Sequence, residues 1–352
     1  MTKCLVTKLN GNISNPEILK LGEVRIKISR VANPSAGTQK LYVLFNEDTK
    51  LEIIGDGYFT DANLSSNKGK TLVVNKNVHT DVYVSNGDYV LSILNKYALN
   101  ILSVISTNKD IENIEYLKYS TALIMLLMDN SKVSGDIADL KNLTALTDLN
   151  LNNTKVSGDI ADLKNLTALT DLNLNNTKVS GDIADLKNLT ALTSLSVYNT
   201  SVSGDIAELK NLTALTSIAL CNFTTPITGD IGSLYGLNSL KILSVQSSQL
   251  SGDLANLPPN CIFVSLRNDA GSTLTWGTRP SSAKIVAIEG NAKLENIDKM
   301  LQDQAQCQIG YTSGDDQYKK TISVVGTRTS ASDAAVQTLQ SKGYTVSITP
   351  AQ

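Results

Sequence analysis

The stretch KVSGDIADLKNLTALTDLNLNNT runs from residue 132 to residue 154, recurs letter for letter over 155–177, and begins again over 178–193. Self-similarity at a period of 20 to 50 residues is the signature of a solenoid or propeller, in which each unit buries its apolar face only against its neighbours. The Gly-Asp pair recurs at 135/136, 158/159, 181/182, 204/205, 229/230 and 252/253, spaced by 23 except for one step of 25 that carries Phe223, Thr224, Thr225 and Pro226. Within a unit the leucines fall at Leu143, Leu146, Leu149 and Leu151. The L-x-L piece has the period of a strand, and the spacing of three around it reads as turns that return each leucine to one interior. Parallel strands are expected at 149–151, 172–174, 195–197, 218–220 and 243–245. Weaker copies extend the array upstream through Leu123, Leu126 and Met128, and through Leu99, Leu102 and Val104; downstream come Leu240, Leu243 and Val245, then Val264 and Leu266.

The order L-x-x-L-x-x-L-x-L followed by Thr154, Val156, Gly158 and Ile160 resembles the leucine-rich repeat family. It departs from the family's L-x-x-L-x-L-x-x-N by placing Thr154, Thr177 and Thr200 where Asn is usual, and its SGDI segment is similar to the SGxI of plant-type repeats in a shorter unit. The resemblance covers about half the chain and implies an α/β-type leucine-rich repeat solenoid with a parallel β-sheet on its concave face. The whole chain also resembles leucine-rich repeat proteins of gut bacteria and their prophages, which implies a recognition role, surface-borne or tail-associated.

Outside the array the pattern changes. Residues 1–98 carry β-rich runs such as KCLVTKL, EVRIKIS, QKLYVLF and DVYVSN between turn sequences such as NPSAG and SNGD, and are expected to form an N-terminal all-β, sandwich-like domain. The solenoid is assigned to 99–280, and 281–352 to an α/β C-terminal cap that continues its sheet. In the cap AKIVAI (283–288), TISVV (321–325) and YTVSI read as strands. Leu294, Ile297, Met300 and Leu301 place an apolar face on one helix; Ser330, Asp333 and Gly343 read as the N-cap, its acidic partner and the stop of a second.

The 352 residues carry 31 basic and 33 acidic side chains, so no charge excess points to nucleic acid or an anionic membrane. No apolar run approaches the roughly 20 residues of a membrane span, and MTKCLVTKLNGN lacks the apolar segment of a secretory signal. A cytoplasmic or virion-associated protein is expected unless a leader was removed. Cys4, Cys221, Cys261 and Cys307 are scattered, with no CxxC, and read as free thiols.

In a solenoid the residues flanking and alternating with the strand leucines face outward. They are Asp148, Asn150 and Asn152 in one coil and Asp171, Asn173 and Asn175 in the next, then Ser194, Ser196 and Tyr198, then Ser217, Ala219 and Cys221, then Ile242, Ser244 and Gln246. This strip is the candidate binding surface for a protein or glycan ligand, and its divergent coils around Tyr198, Cys221 and Gln246 are better suited to a tailored site than the identical ones. The corresponding upstream positions, Met125, Leu127 and Asp129, suggest cover by the N-terminal domain or a partner. The aspartates from Asp136 to Asp253 could hold Ca²⁺, but each follows a Gly ahead of a turn and is read as a cap on backbone N–H groups. The Thr154, Thr177 and Thr200 ladder, with Ser131 and Ser248, is read as bonding backbone in its own coil and the next. Asn142-Leu-Thr and its copies match a glycosylation acceptor only by accident, since the Leu is expected in the core. One histidine, His79, and a βα turn at Gly326-Thr-Arg-Thr without a P-loop lysine do not converge on catalysis, so neither an enzyme nor a metal or other cofactor is expected. A spacer whose terminal domains make the contacts is the alternative to a binding protein.

Overall fold

The computed structural model describes eight strands between residues 24 and 106 by their backbone, and residues 113–118, 120–221, 226–246, 249–266, 272–279, 283, 287–290, 293–307 and 320–350. KCLVTKL, His79, Ser248 and the insertion at 223–225 lie outside the described residues. The chain divides into two compact units, Met1–Leu146 and Thr147–Gln352.

In the first unit the strands are β1 (Val24–Ile28), β2 (Gln39–Phe45), β3 (Thr49–Ile54), β4 (Tyr58–Phe59), β5 (Thr71–Val74), β6 (Thr80–Ser85), β7 (Tyr89–Ile93), β8 (Ile101–Ser106), β9 (Met125–Leu127) and β10 (Ser134–Asp136). An antiparallel sheet runs in the order β1-β7-β3-β5. Strand β8 changes the pairing mode: it lies antiparallel to β2 on one side and parallel to β9 on the other, Val104 opposite Leu126. A single strand thus ends the antiparallel ladder and begins the parallel one.

In the second unit each 23-residue coil contributes two strands and a 3₁₀ turn. The first strands are β11 (Asp148–Asn150), β13 (Asp171–Asn173), β15 (Ser194–Ser196), β17 (Ser217–Cys221) and β19 (Ile242–Gln246), and they alternate in the chain with β12 (Lys155–Asp159), β14 (Lys178–Asp182), β16 (Ser201–Asp205), β18 (Ile227–Asp230) and β20 (Gln249–Asp253). The expected L-x-L strands are present, set one residue toward the N-terminus in the three-residue cases. Their ladder nonetheless runs on, because Leu151 N–H donates to Asn173 O and Asn153 N–H to Asn175 O. Equal positions stack, Leu149 on Leu172 on Leu195 on Ile218 on Leu243, all in parallel register.

The segment that leads into each Gly-Asp turn is itself strand: K-V-S-G-D forms its own parallel sheet, β12-β14-β16-β18-β20-β22, closed by β22 (Thr273–Thr275). Val156, Val179 and Val202 point inward from it and the 3₁₀ turns that follow bury Ile160 and Leu163, or their equivalents. A coil's apolar interior, for instance Val156, Ile160, Leu163, Leu166, Leu169, Leu172 and Leu174, is built of aliphatic side chains at most 1% exposed. Fully burying one such side chain is worth about 1.5–3 kcal/mol, which offsets the ordering entropy of the polar residues around it.

The long sheet does not stop with the coils. It continues in parallel through β21 (Phe263–Leu266), β23 (Ala287–Gly290), β24 (Thr321–Val325) and β25 (Thr345–Thr349). Helices α1 (Ile297–Gln306) and α2 (Asp333–Ser341) make the crossovers between the last three and pack on each other. The described part of the AKIVAI run is strand only from Ala287, and that strand carries on to Gly290. Ile297, Met300, Leu301 and Leu339 are buried, whereas Val336 on the same helix is half-exposed. The cap of α2 differs from the expected Ser330 box. Thr329 caps a short 3₁₀ turn through Ala331 N–H at 3.2 Å, and Asp333 instead pairs with Arg328 at 2.7 Å. Gly343, at φ +86, does end α2, with Tyr344 N–H reaching back to Leu339 O. No helix among the described residues is long and apolar enough to cross a membrane.

Candidate functional site

The outward positions of the long sheet, expected to form the concave face, begin with Asp148, Asn150, Asn152, Asp171, Asn173 and Asn175. All are half-exposed except Asp171, which is exposed; Ser194, Ser196, Tyr198, Ser217, Ala219, Ile242, Ser244 and Gln246 are half-exposed too. Cys221 closes β17, and its side chain is outside the described residues. Register brings Asp148, Asp171, Ser194, Ser217 and Ile242 into one row and Asn150, Asn173, Ser196, Ala219 and Ser244 into the next. Neighbouring carboxylates in the first row repel by about 1 kcal/mol at the dielectric of water, and the row passes from charge to hydroxyl to hydrocarbon along its length.

Several of these polar groups are already held. Asn150 Oδ1 accepts from Asn152 N–H at 3.1 Å and Asn173 Oδ1 from Asn175 N–H at 3.2 Å. Where the repeat diverges, Asn175 Oδ1 accepts from both Tyr198 N–H (2.6 Å) and Ser196 Oγ (2.8 Å) in the following coil. That bridge fixes the backbone beneath Tyr198, so the one aromatic side chain of the strip stands on a braced turn.

The turns beside the strip depend on residues the sequence reading passed over. Asn130, Asn153, Asn176 and Asn199 adopt left-handed backbone, φ between +52 and +57, where Asn is the favoured non-glycine residue. Asn199 Nδ2 donates to Asn176 Oδ1 at 3.0 Å. The buried Thr154, Thr177 and Thr200 hydroxyls donate to Leu151, Leu174 and Val197 carbonyls at 2.7–2.8 Å, within their own coil. A second threonine series bonds between coils: Thr170, Thr193 and Thr216 donate to the carbonyls of Thr147, Thr170 and Thr193.

On the second sheet the repeated aspartates cap as expected. Asp136, Asp159, Asp182, Asp205, Asp230 and Asp253 each accept the N–H two residues on, at 2.7–2.9 Å. Asn113 does the same for the turn at Glu115. The glycines explain the pairing. A Cβ at Gly181 would strike Asp159 Oδ1 and one at Gly252 would strike Asp230 Oδ1, and both glycines sit at positive φ. Each cap therefore lies in the space left by the glycine of the next coil. Asp139, partly buried, is held above the usual carboxylate range by desolvation, which Lys118 opposes.

The C-terminal end has buried polar groups of another kind. Asp303, 8% exposed, accepts from Trp276 Nε1 at 3.0 Å and Arg279 N–H at 3.2 Å, and pairs with Lys299. Arg279, 3% exposed, donates to the carbonyls of Leu257 and Pro258. Burial lowers its guanidinium below the ordinary value, against the pull of Cys261 and Cys307; burial also pushes the Cys261 thiol up to about 12 and raises Cys307. Both cysteines are free and buried, the setting of structural and not of reactive thiols. Asp298 accepts from Ser332 Oγ at 2.5 Å and from Thr329 N–H and Oγ1, and these bonds outweigh burial and hold its carboxyl below the usual range.

No family model matches this chain, and no curated protein matches it. Solved structures with a similar form include an internalin C2 from Listeria monocytogenes, 26% identical over 49% of this chain and 84% of that one, with a TM-score of 0.38. An internalin (inlF) from the same organism is 20% identical over 74% of this chain and 85% of its own, with a TM-score of 0.47. The Arabidopsis receptor kinase HAESA, solved with the peptide hormone IDA and the co-receptor SERK1, is 20% identical over 62% of this chain, with a TM-score of 0.44; the chain spans 36% of its length.

Proposed function

We propose that this leucine-rich repeat protein is a non-enzymatic recognition protein that binds a protein ligand along the outer face of its long sheet, chiefly where the coils diverge between Ser194 and Gln246. The observation that carries the reading is where the sequence varies. Beneath the strip every coil keeps an aliphatic residue at the stacked position, Leu172, Leu195, Ile218 and Leu243, all at most 1% exposed. Above it the same coils present Asp and Asn, then Ser and Tyr, then Ser and Ala, then Ile, Ser and Gln. Folding requires the first set and leaves the second open. A face with hydroxyl, amide and phenol groups between short apolar patches suits an extended peptide segment, whose backbone offers donors and acceptors at regular spacing.

In this reading residues 1–98 attach or orient the array, 281–352 cap it, and the identical coils over 132–177 set distance. Identical tandem copies recombine readily, which suits a target that changes, as on a bacterial or phage surface. The test is selection of a displayed random-peptide library on the full chain, followed by affinity measurement on Tyr198→Ala and Gln246→Ala. Loss of at least about tenfold, or 1.4 kcal/mol, is expected for Tyr198→Ala. Peptides that bind both variants as tightly as the parent would place recognition elsewhere.

A further inference from the structure

We propose that the protein forms a two-fold dimer by antiparallel pairing of β25 with β25 of a second copy, which joins the two long sheets into one. The strands of the C-terminal segment extend the sheet, and in doing so they move its edge outward instead of removing it: among the described residues β25 is the last strand in the order and pairs with β24 alone. Along that pair Thr345 N–H donates to Lys320 O and Gly326 N–H to Thr349 O, both at 2.8 Å. In a parallel ladder alternate residues turn their N–H and C=O to the same side. Thr345, Ser347 and Thr349 therefore face β24, and Val346 and Ile348 present their N–H and C=O outward.

An open edge is normally blunted by charge, by proline within the strand or by a bulge. β25 reads Thr-Val-Ser-Ile-Thr and has none of these between its ends. The sequence is also its own near mirror. Laid antiparallel on a second copy about Ser347, it sets Thr345 opposite Thr349, Val346 opposite Ile348, and Ser347 opposite Ser347 of the other chain. The Val346–Ile348 pairs are the ones with outward backbone groups on both sides, so each can exchange both hydrogen bonds at a Cα separation of about 5.5 Å, with the serines about 4.5 Å apart between them.

The flanks bound this register. Tyr344 gives its N–H to Leu339 O, and Pro350 has none to give, so pairing ends where the mirror ends. A slip of the two-fold axis to Val346 would set Ile348 against Tyr344, whose donor is already committed. Side chains agree with backbone. Ile322 and Val324 are at most 2% exposed, while Val346 and Ile348, which continue the same layer one strand further out, are only half-buried. The second copy would cover that layer with its own Val346 and Ile348, and the paired β-branched side chains are of the kind that stabilises cross-strand contacts. No charged residue lies between Tyr344 and Pro350, so no like charges face each other in the pair.

Sedimentation equilibrium of the full chain tests this, with Ile348→Pro and Ser347→Lys as the breaking variants. Ile348→Pro removes an outward N–H and leaves the β24 ladder its donors; Ser347→Lys sets two ammonium groups face to face and deletes no backbone bond. The parent is expected to approach twice the 37.7 kDa of one chain at high concentration and to dissociate on dilution. Both variants should stay at the single-chain mass with a melting transition still cooperative. In a third arm, Ser347→Cys should link two chains when treated with oxidised glutathione, and Thr345→Cys, whose partner is Thr349, should link far less. A parent that stays monomeric, whether its edge is bare or occupied by another protein's strand, overturns the proposal. So does a dimer that persists in both breaking variants, or a Thr345→Cys chain that links as readily as Ser347→Cys.

Discussion

Coils 155–200 and the end of the chain from Cys261 to Thr349 solve the same problem, satisfying polar backbone around an apolar interior, by opposite means. In the coils one solution is written once and translated. Every interior side chain except the buried threonines Thr177 and Thr200 is aliphatic, and every cap is an aspartate lying against the next coil's glycine. At the C-terminal end nothing repeats. The chain's single tryptophan, Trp276, is buried with a hydrogen bond to Asp303, Arg279 is buried beside two thiols, and Asp298 gathers three donor groups from the α2 side. Translation makes neighbours interchangeable, and it has no means of ending. An end must be built from groups that do not recur, and its failures should be individual and large.

Removing residues 281–352 should give the largest effect. It uncovers the edge of β21 and strips Trp276 of its Asp303 partner, which leaves an aromatic N–H and apolar surface facing water together. Aggregation or a markedly lower melting midpoint is expected; a monomer with an unchanged midpoint would make the segment an independent module.

Next comes the contact that repeats. Gly181→Ala places a Cβ against Asp159 at a φ of +116 and should cost about 1–3 kcal/mol. Asp159→Ala, which removes a cap, should cost about 0.5–2 kcal/mol, and Asp159→Asn much less, because Asn113 already fills that role in the chain. In the Asp159→Ala background Gly181→Ala loses its collision and keeps only its backbone strain. The double-mutant cycle by urea melts should therefore show coupling of about 0.5 kcal/mol or more. Strict additivity would mean that cap and glycine are independent.

How far the sequence foretold this contrast follows from the same distinction. The leucines of L-x-L, the aspartate caps and the register of stacked coils were legible because each is written several times at one spacing. In K-V-S-G-D the Gly-Asp is a turn signal in isolation, and only the partner strand 23 residues away makes the segment a ladder. Asn153 and Asn176 are not legible for the reverse reason, since a left-handed residue shows in φ and not in hydrophobic period. Thr170 and Thr193 bond between coils, while the buried Thr177 hydroxyl meets its own coil's carbonyl first. At the C-terminal end the strands and helices were readable from period. The Trp276–Asp303–Arg279 cluster was not, as it joins residues 24 to 27 apart that follow no pattern. The outward strip is legible from the alternation of L-x-L alone.

A smaller effect should come from acid. Asp298 is held below its ordinary range, so it contributes stability above the unfolded carboxylate pKa, about 3.9, and that contribution is lost as pH falls through the lower folded value. Stability of the parent relative to Asp298→Asn should therefore narrow below about pH 4 and stay constant above about pH 5; a gap that widens in acid would reverse the sign and refute the account of that site.

The smallest effect expected is also the most direct test of the central claim, that identical coils are scaffold and divergent coils are the binding surface. Deleting residues 155–177 excises one whole period and brings Thr154 directly before Lys178, as it now stands before Lys155. For a peptide selected on the intact chain, this shortened protein should fold cooperatively and bind within about twofold of the parent, while Tyr198→Ala should lose at least about tenfold. A shortened protein that folds as well as the parent but loses the peptide, with Tyr198→Ala unimpaired, would contradict it.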